Sequence, residues 1–397
     1  MLRGKQLEHG DGEAVIIGGM VLDIHATPST HANPRTTTPG KVYYVHGGVA
    51  RNVAECMSKL GAKPYMISAL GFDMAGNLLL KQWNSAGLSI EGILKDKDIE
   101  TPTVCNIFDV NGEVAAGVAS VEAIEKYLTP DWILRFKSTL NSAPVLMVDA
   151  NLSYPSLEAS CKMAADLKCP VWFEPVSVTK SRRISSIVKY VTFASPNEDE
   201  LIAMANVLSG GDEFSPFKEK LNKNTLSTVS LFQMLKPAIW VLLEKGIKVV
   251  LVTLGSDGVF LCSKGGPNCV KIPVDKTNQC GFGGQLYKTV MQLCPPSRYS
   301  GFSEYDRSSH LFAMHFPSVP ASVVRLTGAG DCLVGGALTS ICAGLDIMQS
   351  VSVGIAVAKA AVEVEANVPS DFSLAAIADD AKSVYSGAKV IFHQSML

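Results

Sequence analysis

Apolar strand-like runs alternating with helical stretches from Ala14 onward predict an α/β protein, a parallel sheet covered by helices on both faces. Three observations carry this. Segments 14–19, 64–70, 145–149, 171–174, 190–194 and 248–254 are short, apolar and each ends beside a polar or glycine motif. Connections between them are long enough for crossover helices, as parallel strands require. At 397 residues, 47% hydrophobic and 18% charged, the chain can bury a large core, in one big α/β domain with a small appendage or in two domains.

Taken in order, the first strand, 14–19, runs into Gly18-Gly19, with Asp23 just beyond. Segments 24–46 and 101–120 break the alternation. They carry short β-like pieces, and Asn111-Gly112 between two apolar runs is a strong hairpin signal. Open α/β sheets bind ligands beyond the carboxyl ends of their strands, so Asp23, Asn151, Glu174, Asn197 and Thr253 are expected along one rim. Segment 263–320 is rich in Gly, Pro, Ser and Cys and lacks periodicity. It reads as an insertion, either partly disordered or folded as a flap over the site. A polar stretch, 209–227, reads as a second, exposed insertion.

Several function classes are disfavoured. Net charge is −2 and no basic run forms a stripe, so no nucleic acid is expected; Lys180, Arg182 and Arg183 read as a solvated helix start. The apolar stretch 238–254 is broken by Glu244, Lys245 and Lys248, so no membrane span is expected. Ten scattered cysteines form no Cys-x-x-Cys pair, and residues 1–12 lack a secretory apolar core. Reduced thiols are the expectation, including for Cys262, Cys269, Cys280 and Cys294, where a metal role is the lesser reading. The tail Ser395-Met396-Leu397 resembles the Ser-Lys-Leu address, giving an expected peroxisomal location with the cytosol as alternative.

The chemistry-bearing stretch is Leu326-Thr327-Gly328-Ala329-Gly330-Asp331, followed by a small-residue helix. Orphan N–H groups at a helix N-terminus favour an anion, and Gly328, Ala329 and Gly330 let it come close. A carboxylate beside a phosphate repels it unless it has work to do, such as accepting a proton from an attacking hydroxyl, which is the role Asp331 suggests. On these residues alone, a glycine-rich turn capped by Asp331 is an equal reading. A second glycine signal, Gly47-Gly48-Val49-Ala50-Arg51-Asn52, opens another helix far upstream.

Together these resemble the two signatures of the ribokinase-like (PfkB) carbohydrate kinase family. Asn197-Glu198-Asp199-Glu200 and Thr253-Leu254-Gly255-Ser256-Asp257-Gly258 resemble two further family motifs, and all four occur in family order. The resemblance implies a three-layer sandwich over 13–372 with a mostly parallel central sheet, a small β-sheet lid from 24–46 and 101–120, and a C-terminal helix and tail over 373–397. It implies ATP with Mg²⁺ as cofactor, Asp331 as general base, and an anion hole at Gly328, Ala329 and Gly330. Asp23, Gly47, Gly48 and Asn52 would bind the sugar. Asn197, Thr253, Gly255 and Gly258 would serve the nucleotide, and Glu200 would reach the metal through water. The lid would pair two copies into a homodimer, although an ordinary surface hairpin fits the same residues. By residue type alone, Asn52 could equally cap its helix, Asn197 and Glu200 could be a cap and its capping-box partner, and Asp257-Gly258 a plain turn.

Strings 147–152, 173–177 and 101–105 resemble the branch of the family that acts on pseudouridine. That branch implies extra contacts to the base from Thr101, Thr103 and Asn106 in the lid, and from Asn151 to ribose or base. The expected reaction is ATP-dependent phosphorylation of the nucleoside 5′-hydroxyl. Alternatives are a kinase for another ribonucleoside or for ribose, or a kinase-fold regulator without catalysis. One departure matters: where the family signature begins with Asp, this chain has Arg325, which puts a monovalent cation site in doubt.

Overall fold

The computed structural model describes residues 13–33, 35–110, 114–215, 227–266, 270, 281–296 and 310–393. The strands in chain order are β1 (Val15–Ile17), β2 (Val21–Pro28), β3 (Gly40–Gly47), β4 (Tyr65–Gly71), β5 (Ile93–Asp96), β6 (Thr103–Phe108) and β7 (Val114–Ser120). They continue with β8 (Leu146–Asp149), β9 (Val171–Glu174), β10 (Phe193–Ala194), β11 (Val249–Thr253), β12 (Val259–Lys264), β13 (Leu311–Phe316) and β14 (Lys389–His393).

Ten of these form one sheet in the order β14-β13-β12-β11-β10-β9-β8-β1-β4-β5. From β11 to β5 neighbours run parallel; Ile16 of β1, for example, lies opposite Met66 of β4 and Met147 of β8. Strand alternation divides the core between the two faces. Ile16, Met147, Trp172 and Leu251 pack with helices Val49–Lys59, Ala329–Cys342, Ile347–Val362 and Leu374–Gly387 on one side. Val15, Ile17, Val148, Phe173 and Val250 pack with Tyr154–Asp166, Glu198–Ser209 and Thr228–Glu244 on the other. The six sequence-expected strands are the parallel centre of this sheet.

The other four strands form the small sheet β3-β2-β6-β7, at the places expected for a lid. β6 and β7 are an antiparallel hairpin; the Asn111-Gly112 turn lies outside the described residues. Helices Met74–Ser85 and Val49–Lys59 touch this sheet at β2 and β3, and Val42, Tyr43, Tyr44, Val114 and Val118 are exposed.

Two expectations need correction. Segment 263–320 is not one irregular insertion: Gly281–Leu293 is a helix whose Leu286 and Val290 are fully buried, and β13 is an inner strand of the main sheet. Its antiparallel partners β12 and β14 hide it from local pattern reading, because β14 comes from the segment expected to be a tail. Cys269 and Cys280, most of 209–227 and the tail Ser395-Met396-Leu397 lie outside the described residues, and the eight described cysteines are free thiols. No helix among the described residues is long and apolar enough to cross a membrane.

The helices carrying the two glycine signatures are in direct contact. A Cβ on Gly335 would stand 2.8 Å from the Cys56 Cβ and Sγ and 3.0 Å from the Val53 carbonyl. Gly335→Ala must push these helices apart, and a loss of about 1–3 kcal/mol in denaturant unfolding is expected. Unchanged stability would mean the helices are not seated this closely.

Candidate active site at the strand ends

Chain ends meet at the site. Gly48 is the N-cap of Val49–Lys59, and its φ of 96° and a would-be Cβ 2.4 Å from the Gly19 carbonyl leave room only for glycine. Gly328 caps Ala329–Cys342 with φ 88°, and a Cβ there would meet the Asn367 carbonyl at 2.1 Å. The helices that these glycines cap meet in their first turns, at Asn52 and Asp331.

There the Asn52 amide nitrogen donates to Asp331 Oδ2 at 2.7 Å, joining positions 279 residues apart. The orientation of that amide is fixed from behind. Arg51, 1% exposed, donates to Asn52 Oδ1 at 2.7 Å while its other N–H groups hold the His46 and Gly47 carbonyls, Glu55 and Gln82. Arg51 was not singled out by sequence reasoning, although it sits inside the glycine motif; its role depends on partners that folding brings round it. Asn52 is therefore more than a helix cap.

Loss of solvation pushes the Asp331 carboxyl up to about 7; the Asn52 hydrogen bond and Arg51 pull it down, and Asp149 and Asp23 add repulsion. Such a group is poised to take a proton near neutrality. In the loop beneath, the Ala329 N–H is already given to the Leu326 carbonyl at 3.3 Å. Gly330 is exposed and faces open space, so the anion-holding face of the turn rests on Gly330 and its neighbours more than on Ala329.

Asp149 organises the floor. Fully buried at the end of β8, it accepts from Gly19 N at 2.9 Å, Ala50 N at 3.3 Å and Asn151 N at 2.9 Å. Burial raises its carboxyl and these bonds lower it. Asp23 lies on β2 beside Gly47, where a Cβ would touch its carboxylate, and 3.5 Å from the Asn367 amide nitrogen; burial lifts it to about 6. Beside the lid strands β2 and β3 lies a cleft of about 730 Å³, lined among others by His25, Tyr43, His46, Arg51, Arg325 and Asn367; it adjoins the Arg51 side of the site, and neither Asn52 nor Asp331 lines it.

The lid candidates separate. In register, Asn106 lies beside His25 and Val104 beside Asp23, so Asn106 shares the face of β2 that carries Asp23. Thr103 pairs with Leu22 on the opposite face and gives its hydroxyl to the Thr101 carbonyl at 3.0 Å, while Thr101 Oγ1 accepts from Gly71 N. Both threonines are occupied with backbone. Asn151 reaches the rim, but its Oδ1 already accepts from Lys180 Nζ at 2.6 Å. Lys180 is therefore half-buried, not part of a solvated helix start, and Arg183 likewise binds the Asn151 and Leu152 carbonyls.

On the other side of the rim, Thr253 ends β11 and bridges to Asn197. Asn197 and Glu200 form a full capping box: Asn197 Oδ1 accepts from Glu200 N and Glu200 Oε2 from Asn197 N, both at 2.9 Å. The plain reading of this pair is thus realised, and only the remaining atoms, Asn197 Nδ2 and Glu200 Oε1, are left for a ligand. Gly255 begins the turn after β11 and Gly258 precedes β12. Glu174 ends β9 between the two halves, and desolvation with repulsion from Glu200, Asp331 and Asp149 holds its carboxyl well above the usual range.

A base poised near 7, an open helix N-terminus and a row of strand-end polar groups on a parallel sheet define a phosphotransferase acting on an alcohol group. The chain belongs to the pfkB family of carbohydrate kinases, whose model matches residues 11–279 and 306–370. The unmatched gap contains the helix Gly281–Leu293. The chain is 56% identical over 386 residues to a protein of Arabidopsis thaliana named pseudouridine kinase, covering 97% of this chain and 100% of that one. A pseudouridine kinase of Escherichia coli K12 is 25% identical over 68% of this chain and 79% of its own. The solved structure of Arabidopsis thaliana ribokinase with ribose and ATP superposes with a TM-score of 0.68 at 18% identity, covering 94% of this chain and 99% of that one, a likeness of fold.

If Asp331 is the base, Asp331→Asn should bind nucleotide and acceptor nearly normally while turnover falls about a hundredfold or more. In the unmodified protein kcat/KM should rise with pH through about 7, as the carboxyl loses its proton, and level off above. Turnover of the variant within a few-fold of normal would remove Asp331 from the mechanism.

Proposed function

We propose that the protein transfers the γ-phosphoryl of ATP to the 5′-hydroxyl of pseudouridine, giving pseudouridine 5′-phosphate and ADP. The observation that carries the transfer chemistry is Asp331 held by Asn52 beside an open helix N-terminus. The similarity to the Arabidopsis relative supports the acceptor. Asp23 grips ribose hydroxyls, Gly47 and Gly48 let the sugar approach the backbone, and Asn52 keeps Asp331 turned toward the attacking oxygen. Asp331 takes the hydroxyl proton; Gly330 and the first helical turn hold the charge of the phosphoryl.

Mg²⁺ is proposed to enter with ATP. Among the described residues no three His, Cys, Asp or Glu side chains are placed to hold a metal by themselves, which suits an ion that keeps its waters. Glu200 and Glu174, crowded carboxylates beside the nucleotide end, are the residues to hold those waters. When bound, the ion neutralises phosphate charge. Arg325 does not fit a monovalent cation site: its guanidinium meets His25 Nδ1 at 3.2 Å and Glu365 at 3.5 Å, placing a fixed positive charge there. The exposed apolar lid and its edge strands β3 and β7 support pairing with a second copy.

Discrimination between pseudouridine and uridine must come from the base, since the ribose is shared. An unpaired polar group left by the wrong base costs about 1–3 kcal/mol, roughly tenfold to a few hundredfold in kcat/KM. ADP-release assays should show that preference for pseudouridine, and Asn106→Ala should shrink it more than it lowers activity on ribose. Equal kcat/KM for the two nucleosides would transfer the assignment to a general nucleoside or ribose kinase. Rates in potassium, sodium and a bulky organic cation at equal ionic strength should be similar; a large, saturable potassium activation would contradict the role given to Arg325.

A further inference from the structure

Lys180 stands on the strand-end rim, beside Asn151 just after β8. Along the rim the strand ends run Thr253 on β11, Asn197 after β10, Glu174 on β9, Asn151 after β8 and Gly19 after β1. At about 4.8 Å per strand, the nucleotide end at Thr253 and the acceptor end beside Gly19 and Gly48 are about 19 Å apart. A triphosphate that brings its γ-phosphorus from the nucleotide end to an acceptor at the other must extend over the ends of β9 and β8, and Lys180 Nζ is held at the β8 end, 2.6 Å from Asn151 Oδ1.

The charges at this crossing need a cation. Glu200, Asp331 and Asp149 each push the Glu174 carboxyl up and Asp149 pushes that of Asp331 up, so this stretch of the rim is acidic, the sign of the phosphoryl. Nearby basic side chains are committed elsewhere: Arg51 to Glu55, Asn52 and two carbonyls, and Arg183 to two carbonyls and Glu125. Lys180 donates to the neutral Asn151 amide oxygen, which uses one of its three N–H donors; burial and Arg183 work against its charge, and the carboxylates of Asp149 and Glu125 favour it.

The backbone is bent to put it there. Between β9 and the turn Val178–Ser181, Val176 has φ 68°, the left-handed region that a β-branched residue rarely enters. Such strain persists only where the surroundings impose it, and it gathers at functional sites. Here it turns the chain back, so that Ser177 Oγ accepts from Lys180 N at 3.3 Å and the lysine side chain lies over the strand ends.

We propose that Lys180 is a catalytic residue that donates to a non-bridging oxygen of the transferring phosphoryl, with Asn151 as its positioning residue. In the step, the acceptor oxygen forms a bond to the γ-phosphorus and its proton passes to Asp331. The bond from that phosphorus to the bridging oxygen breaks, and ADP leaves with the electron pair. Lys180 stays protonated throughout. The proposal rests on the phosphotransferase reading, not on the identity of the nucleoside.

The test uses the full chain with Lys180→Met, Lys180→Arg and Asn151→Ala, each checked for an unchanged thermal midpoint. Calorimetry measures ADP and a non-hydrolysable ATP analogue that keeps the γ-phosphate, and ADP release measures turnover. Lys180→Met should weaken the analogue about tenfold or more, leave ADP within about threefold, and lower kcat about a hundredfold with little change in nucleoside KM. Lys180→Arg should recover part of kcat, and Asn151→Ala should show a smaller loss of the same pattern. Equal weakening of ADP and analogue, or a Lys180→Met kcat within a few-fold of normal, would overturn the proposal. Because the binding arm contains no acceptor, a failure of pseudouridine as substrate would be seen separately in the turnover of the unmodified protein.

Discussion

The hydrogen bond from Asn52 to Asp331 is the constraint on which the site depends. To make it, helices Val49–Lys59 and Ala329–Cys342 must approach until Gly335 lies on Cys56 and the Cys56 thiol faces the Cys332 carbonyl. The same approach brings the first turns of the two helices together. Arg51 enforces the polarity of the bond, since by donating to Asn52 Oδ1 it leaves only the amide N–H for Asp331.

Around this bond the protein tolerates an unfavourable accumulation of carboxylates. Asp149 offsets part of its burial cost by accepting three backbone N–H bonds, which also fix Gly19 and Ala50, and burial still holds its carboxyl up. Glu174, Asp23 and Asp331 are less well compensated, and all three are held above the ordinary carboxylate range. A cleft so prepared repels a bare phosphoryl group. It becomes productive when cations and oriented N–H groups offset that charge, and this is why the few positive groups near the rim matter.

The parallel centre of the sheet was legible because its strands are apolar on both faces and end at motif residues such as Asp149, Glu174 and Thr253. The antiparallel edge was not: β13 follows a segment without periodicity, and β14 is recognisable only through its pairing with β13. Gly48 and Gly328 were legible from local backbone needs, whereas Asp331 and Asn52 were singled out by the resemblance of their motifs, since residue type alone left each equally a cap. Arg51, Asp149 and Lys180 act through tertiary partners, in the last two cases across 130 and 29 residues, and no local pattern announces that. Thr103 shows the reverse: residue type suggested a base contact, but strand register turns it to the far face.

The ionisation of Asp331 is what the Asn52 bond controls most directly. Carboxyl-selective NMR titration of the unmodified protein and of Asn52→Ala reads it without catalysis. Asp331 should titrate near 7 in the unmodified protein and higher once the Asn52 bond that favours its charged form is gone. A titration in the usual carboxylate range near 4, or one that Asn52→Ala leaves unmoved, would contradict the claim that this bond sets the catalytic group.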